Sequence, residues 1–155
     1  MREQEPMTQA DMRSEPGAAV AAPVHTSESG RSPMLELSNA MVRLYKDVFG
    51  RGPTKARAHW AGPDTLVVIL EDSMTVAERN LAALGEHERL RDARLFFQYA
   101  VEHEFRAMVE RILGRRTVAF VSGIDTRHDV AMELFTLEPQ SAEHPVLTSA
   151  NDVGS

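Results

Sequence analysis

The sequence predicts an α+β domain in which two helix–strand–strand units form a four-stranded, mainly antiparallel sheet packed with helices. A run of helix, glycine, arginine, strand, turn and strand occurs twice, first around Phe49-Gly50-Arg51 and again around Leu113-Gly114-Arg115. Within each unit the turn is of hairpin length, which favours antiparallel pairing of the two strands. The chain has 155 residues, of which 43% are hydrophobic, and this size fits one domain.

The first unit begins with an amphipathic helix over residues 38–49, because apolar side chains recur there at helical spacing. Gly50 is a suitable C-terminal cap for this helix. Strict alternation over Lys55–Trp60 predicts a half-buried strand. After a turn, residues 66–71 are apolar on both faces and predict an inner strand.

Two helices are predicted between the units. Thr75 and Glu78 have the spacing of a capping box, which predicts a short helix that ends near Gly85. Residues 88–113 then predict one long helix. Its predicted core stripe includes Leu90, Phe97, Val101, Phe105, Met108 and Ile112, with Ala93 and Ala100 alongside.

The second unit is predicted to contain strands over residues 115–122 and 129–137, joined by a loop over residues 123–128. Residues 1–33 and 140–155 are rich in small and polar residues without periodicity, and we expect a disordered N-terminal arm and a disordered C-terminal tail. The folded domain is therefore predicted over residues 34–139.

Composition excludes several kinds of function. The chain has no cysteine, so it cannot form a disulfide, a thiolate nucleophile or a cysteine-based zinc site. Its net charge is −6, which argues against nonspecific nucleic-acid binding. Its longest strongly apolar run is far shorter than a membrane span, and we expect a cytoplasmic protein that does not insert into the membrane.

Three basic residues after the first helix form the strongest candidate ligand site. Arg51, Lys55 and Arg57 could hold a small anion, with Arg94 as a further candidate. The segment lacks the spacing of a phosphate-binding loop and follows a helix rather than preceding one. The alternative is therefore structural: Arg51, like Arg115 in the second unit, would neutralise the carboxyl end of a helix.

The remaining polar residues predict no catalytic, metal or cofactor site. The histidines lack the spacing of a zinc motif, although His128 could meet Asp125. Ser73 and Ser122 lack the context of a nucleophile. Glu71 is expected to form an ion pair with Arg57 across the first hairpin.

Three segments of the predicted domain resemble the MpsC-like family, which is named for a Na+-translocating membrane potential-generating system. The segments are residues 44–57 with Gly50-Arg51-Gly52-Pro53-Thr54, residues 68–78 with Met74-Thr75-Val76-Ala77-Glu78, and residues 113–120 continuing to 135–139. Leu113 departs from the family pattern, which has threonine there. The resemblance covers about two-thirds of the chain.

The resemblance implies a cytoplasmic accessory component with a membrane-protein partner in a cation-translocating system. We expect a non-catalytic interaction domain. The alternative is a regulatory domain, or an enzyme, that binds a small anion or a nucleotide. Because the inner strands are apolar on both faces, and the predicted helices cover only one, we also expect a homodimer that buries the second face.

Overall fold

The computed structural model describes residues 32–140, and its elements follow the predicted order. The predicted N-terminal arm and C-terminal tail lie, except for their innermost residues, outside this range. The helices are α1 (Pro33–Phe49), α2 (Val76–Ala83), α3 (His87–Ala100) and α4 (Glu102–Leu113), and the strands are β1 (Lys55–Trp60), β2 (Thr65–Glu71), β3 (Thr117–Asp125) and β4 (Val130–Leu137).

The four strands form one antiparallel sheet in the order β1-β2-β4-β3. The hairpins β1–β2 and β3–β4 each contribute an inner strand, and the inner strands pair with Val68 opposite Glu133. The predicted α+β class and the two helix–strand–strand units are confirmed.

Helix α1 begins earlier than the apolar pattern predicted. Pro33 occupies its first turn, where its fixed φ and missing N–H fit the helix start. The helix ends as predicted at Gly50, which has a φ of 79° and donates its N–H to Lys46 O at 2.8 Å. Gly52 allows the chain to turn back closely, because a Cβ there would lie 2.9 Å from Val42 O.

The predicted long helix is divided at Val101, which has a φ of −107° and a ψ of 20°. Val101 ends one helix and begins the next: its N–H donates to Phe97 O at 3.2 Å, and its carbonyl oxygen accepts from Phe105 N at 3.4 Å. Helices α3 and α4 therefore follow one another with a local distortion rather than a loop.

The predicted core stripe of α3 was partly wrong. Leu90 is buried as expected, but the other buried residues of this helix are Arg94 and Gln98. Phe97 is half exposed, and Ala93 and Ala100 are exposed. On α4 the prediction succeeds, because Phe105 and Met108 are buried there together with Val109.

The third strand starts later and ends later than predicted. It runs over Thr117–Asp125, and Ile124 continues the alternation of buried residues beyond Ser122. Between the buried residues Thr117 and Phe120 lie two residues, whereas the partner strand has only Thr136 at that place. This β-bulge directs both Val118 and Ala119 away from the core.

Candidate functional site

Arg51 joins the end of α1 to the segment that follows β2. Its Nη1 donates to the carbonyl oxygens of Asp72 at 2.7 Å and Met74 at 2.9 Å, and its Nη2 pairs with Asp72 Oδ2 at 3.0 Å. The hydrogen bond from Arg51 holds the pKa of Asp72 below its usual range. The expectation that Arg51 neutralises the last carbonyls of α1 was wrong, because the guanidinium reaches across the first unit instead.

Lys55 and Arg57 lie on β1 and share one carboxylate on the neighbouring strand. Arg57 forms the predicted ion pair with Glu71, and Lys55 Nζ lies 3.6 Å from Glu71 Oε2. These residues border a groove of about 700 Å³ between α1 and β1, whose floor includes Ser38. The structure thus places Lys55 and Arg57 together beside a groove, while Arg51 is engaged with Asp72.

Arg115 makes the corresponding contacts in the second unit. Its Nη2 donates to Glu138 O at 2.6 Å, just after β4, and pairs with Asp64 at 2.5 Å. Nη1 donates to Pro63 O at 3.0 Å in the turn of the first hairpin. Arg115 therefore connects the two units, which differs from its predicted role at the end of α4.

A polar cluster lies inside the core, at the centre of the sheet face that the helices cover. It contains Tyr45 of α1, Gln98 of α3 and Glu133 of β4, none of which is exposed to solvent. Tyr45 donates its hydroxyl to Glu133 Oε1 at 2.5 Å. Gln98 Nε2 donates to the same oxygen at 3.1 Å and to the Tyr45 hydroxyl at 2.8 Å.

Burial shifts the pKa values of the two ionisable groups of this cluster, Glu133 and Tyr45. It raises the pKa of Glu133 to about 8, against the lowering effect of the hydrogen bond from Tyr45. Burial and the neighbouring Glu133 together raise the pKa of Tyr45 well above its usual value. Within residues 32–140, the buried side-chain atoms without a hydrogen-bond partner are Gln98 Oε1, Ser122 Oγ and Glu133 Oε2. Ser122 lies directly opposite Glu133 in the sheet, so a proton on Oε2 would supply a donor that the Ser122 hydroxyl can accept.

Arg94 is a buried charge, and its contacts are structural. Its Nε and Nη2 donate to the two carboxylate oxygens of Glu78 at 2.6 and 2.7 Å, and Nη2 also donates to Ser73 O at 2.9 Å. The guanidinium lies 4.0 Å from the centre of the Phe49 ring. Burial opposes ionisation of Glu78, but the hydrogen bonds from Arg94 and Thr75 lower its pKa overall.

The capping box also belongs to this arrangement, as predicted. Thr75 Oγ1 accepts from Glu78 N at 3.3 Å, and Glu78 Oε2 accepts from Thr75 N at 2.7 Å. Glu78 therefore caps α2 and neutralises Arg94 at the same time. This double role fixes α2 against α3.

His128 contacts Asp125, a pairing that the sequence had suggested. The Nδ1 atom lies 2.7 Å from Asp125 Oδ2, and the hydrogen bond lowers the pKa of this carboxyl. In residues 32–140, no group of three or more histidine and acidic side chains is arranged to hold a metal ion.

Sequence reasoning missed the polar cluster because each of its members lies within an otherwise apolar pattern. Glu133 alternates with the buried residues Ala131 and Phe135 along β4. That alternation indicates that Glu133 is buried, since a strand that buries every second residue must also bury Glu133. The signal for the burial of Gln98 was weaker. Gln98 lies at helical spacing from two other residues, four residues after Arg94 and three before Val101.

The sheet face opposite the helices is apolar at its centre and is not covered by any element in residues 32–140. Lys55, Arg57 and Glu71 lie on the same face, toward the β1 edge. Val121 and Met132 are 47% and 37% exposed there, and Val67, Ile69 and Leu134 are half-buried. The covered face, by contrast, contains the fully buried residues of the core. The domain therefore has one apolar sheet surface that remains open.

These features define a small two-layer α+β domain with a buried acid and an open apolar sheet face. A scan against protein-family models matches residues 33–139 to the family described as Na+-translocating membrane potential-generating system (MpsC). The chain belongs to this family. Searches of curated proteins and of solved structures returned no match.

None of the helices in residues 32–140 has the length and apolar character needed to cross a bilayer.

Proposed function

We propose that this chain is a non-catalytic, cytoplasmic interaction domain that forms a homodimer and serves as an accessory component of a membrane cation-translocating system. Membership of the MpsC family supports the link to such a system. The open sheet face supports the interaction role, and it is the observation on which the proposal depends.

The chemistry of the open face fits a second copy. Its centre is aliphatic, with Val67, Ile69 and Leu134 beside Val121 and Met132. An exposed apolar patch of this kind usually marks an interface. Two identical sheet faces can pack against each other around a twofold axis, which gives a closed dimer.

The arrangement of the basic residues also supports a structural role for them. Arg51 is bonded to Asp72, and Lys55 and Arg57 are both paired with Glu71. An incoming anion would have to compete with these carboxylates. This competition favours an interaction domain over a dedicated anion site.

Sedimentation velocity of the full chain at micromolar concentration tests the homodimer. We expect a dimer for the natural sequence and a monomer for Val121→Glu, because a charge would be buried within the apolar contact. Leu35→Glu is the matched control, since Leu35 is similarly exposed but lies on α1. A monomer for the natural sequence, or a dimer that Val121→Glu leaves intact, would contradict the proposed contact.

Affinity purification from the native host tests the accessory role. We expect a membrane protein of a cation-translocating system to co-purify with the full chain. Recovery of only soluble metabolic enzymes would contradict this role. The Val121→Glu variant shows whether the membrane partner requires the dimer.

The groove between α1 and β1 supports a second candidate function, the binding of a small anion or nucleotide. Lys55 and Arg57 border this groove, and one carboxylate, Glu71, faces both. Thermal unfolding with phosphate, bicarbonate and nucleotides tests it. A ligand at 100 times its dissociation constant should stabilise the domain by about 2.7 kcal/mol. The stabilisation should disappear in a Lys55→Ala, Arg57→Ala double variant.

A further inference from the structure

Helix α2 differs from the other described helices in that none of its residues is buried. The other helices bury between three and five residues each. The apolar residues at the two ends of α2, Val76 and the C-cap Leu84, are 69% and 78% exposed. An element that buries little apolar surface opens locally at a lower cost than the core does. Helix α2 is therefore the least anchored of these helices.

The segment that carries α2 makes few hydrogen bonds to the rest of the domain. In the described part of the chain, the backbone hydrogen bonds of residues 75–85 all have their partners within residues 75–86. Two ion pairs connect the segment to other elements. Arg79 pairs with Asp72 at 3.0 Å, but both side chains are 44% exposed, and such pairs contribute little. The pair between Glu78 and the buried Arg94 is therefore the principal polar contact that holds α2 in place.

The chain on either side of this segment can act as a pair of hinges. On one side, Ser73 and Met74 are buried, and each donates its N–H to the Asp129 carboxylate at 3.0 Å. On the other side, Gly85 has a φ of 82°, in a region where glycine moves at little steric cost. The segment that can move as a unit is therefore residues 75–85.

A groove of about 540 Å³ lies between α2 and the loop that follows β3. Ala82 and Ala83 line it from the helix, and Thr126 and His128 line it from the loop. The small side chains of α2 leave this space unfilled, and the helix packs mainly against α3. Helix α2 is thus supported mainly from one side.

We propose that α2 is a lid held closed by the Glu78–Arg94 pair, and that its opening exposes Arg94 as a binding site for a carboxylate group of a partner. In the closed domain, Nε and Nη2 of Arg94 donate to the two carboxylate oxygens of Glu78 at 2.6 and 2.7 Å. This bidentate geometry is the one that a guanidinium group offers to any carboxylate. Glu78 is thus an internal ligand, which an external acid can replace.

Residues outside the lid hold the guanidinium of Arg94, so the site keeps its shape when Glu78 leaves. Nη2 also donates to Ser73 O at 2.9 Å, and the guanidinium lies 4.0 Å from the centre of the Phe49 ring. The half-exposed Phe97 touches Phe49, at a centroid distance of 6.3 Å. The group that fits is therefore an acidic side chain with an apolar neighbour.

The exchange of one carboxylate for another has a modest cost. Opening the lid returns Arg94 and Glu78 to water together, and their regained hydration offsets much of the lost attraction. A ligand that binds only the open state then shifts the equilibrium toward it.

Native-state hydrogen exchange of the natural full chain, followed by NMR, tests the lid. The amides of residues 79–85 should exchange roughly tenfold or more faster than those of β4, through one common opening that low concentrations of denaturant do not accelerate. This measurement needs no variant. Exchange of these amides only as slowly as those of β4 would overturn the lid.

A double variant tests whether the ion pair holds the lid closed. Glu78→Gln with Arg94→Met removes the pair, leaves no buried charge unpaired, and keeps a glutamine that can still form the capping box. Exchange of the α2 amides should rise by roughly tenfold, while exchange in β4 should not rise, because apolar replacement of a buried pair is often neutral for the fold. Arg79→Gln is the matched control, since it removes only the exposed ion pair of the same helix. An equal increase in both variants would overturn the role of the Glu78–Arg94 pair.

A peptide that copies residues 75–84 tests the carboxylate site. At millimolar concentration it should accelerate exchange of the α2 amides in the isotope-labelled natural chain, because it occupies Arg94 in the open state. The same peptide with the Glu78→Gln change is the control and should have no effect. Failure of the first peptide to accelerate exchange, or an equal effect of both peptides, would overturn the carboxylate site. The homodimer of the proposed function is judged separately, by the effect of Val121→Glu on sedimentation.

Discussion

Arg51 and Arg115 occupy equivalent positions in the two halves of the domain. Each directly follows the left-handed glycine that ends a helix, and each donates to the carbonyl of the residue just after the second strand of its unit. These acceptors are Asp72 and Glu138. In both units, therefore, the same hydrogen bond connects the end of the helix to the end of the second strand.

Replacement of Arg115 should therefore destabilise the domain. Arg115→Ala removes charged hydrogen bonds to Glu138 O, Pro63 O and Asp64, and we expect a loss of about 1–3 kcal/mol in the free energy of unfolding. Urea denaturation measures this loss. Arg116→Ala is the control, because Arg116 is exposed and lies 3.9 Å from Glu138. An equal effect of the two substitutions would contradict the role of Arg115.

The buried acid predicts an unusual pH dependence. Glu133 has a pKa of about 8 in the folded domain, against 4.5 when unfolded. Between these values the unfolded chain releases the proton while the folded domain keeps it, so stability should fall as pH rises from about 4.5 to about 8. Below this range the contribution is fully present, and above it no further loss is expected.

Glu133→Gln should remove this slope, because glutamine resembles the protonated acid and does not ionise. At pH 8 we expect the variant to be more stable than the natural chain by an amount on the order of a few kcal/mol. Chemical denaturation at several pH values measures the difference. Glu138→Gln, at an exposed position, should leave the slope unchanged. A variant with the same slope as the natural chain would show that Glu133 does not retain its proton.

The capping box gives a third prediction. Thr75→Ala should lower the free energy of unfolding by about 0.5–2 kcal/mol, the usual range for a lost helix cap. The upper part of this range is expected, because Thr75 also orients the Glu78 carboxylate that neutralises Arg94. Thr75→Ser keeps the hydroxyl and should retain most of the stability. Equal losses in both variants would assign the effect to the methyl group instead of the cap.

A shortened chain tests the predicted domain boundaries. Residues 34–140 should unfold cooperatively, because all eight elements except the first residue of α1 are retained. A fragment over residues 32–140 should be slightly more stable, since Ser32 O accepts from Glu36 N at 3.0 Å and Pro33 starts α1. Thermal melting compares both fragments with the full chain. A fragment without a cooperative transition would contradict the boundary.

The elements that could be predicted are those specified by local chemistry. Gly50 and Gly114 end their helices, the Thr75–Glu78 box starts α2, alternation places β1, and a continuous apolar run places β2. Arg57 and Glu71 are diagonal neighbours across the first hairpin, because Arg57 lies opposite Ile69, two residues from Glu71, so their pairing follows from the turn.

The polar side chains inside the core could not be predicted by the same means. Hydrophobic periodicity places phenylalanine inside and arginine outside, and α3 does the reverse with Phe97 and Arg94. Arg94 is buried because Glu78 and Ser73 O lie where its guanidinium ends. Those partners come from another helix and loop, so only the tertiary structure brings them together.

The pairing of β2 with β4 has a consequence for how the chain folds. The two hairpins can form early from neighbouring residues, but the central pair joins positions roughly sixty or seventy residues apart. Closing such a long stretch costs entropy before any contact compensates for it, so contacts of this kind form slowly. We expect the rate-limiting step to be the meeting of the two hairpins, with Val68 opposite Glu133. A core substitution at Val68 should slow folding more than one at Ala58, on the outer strand.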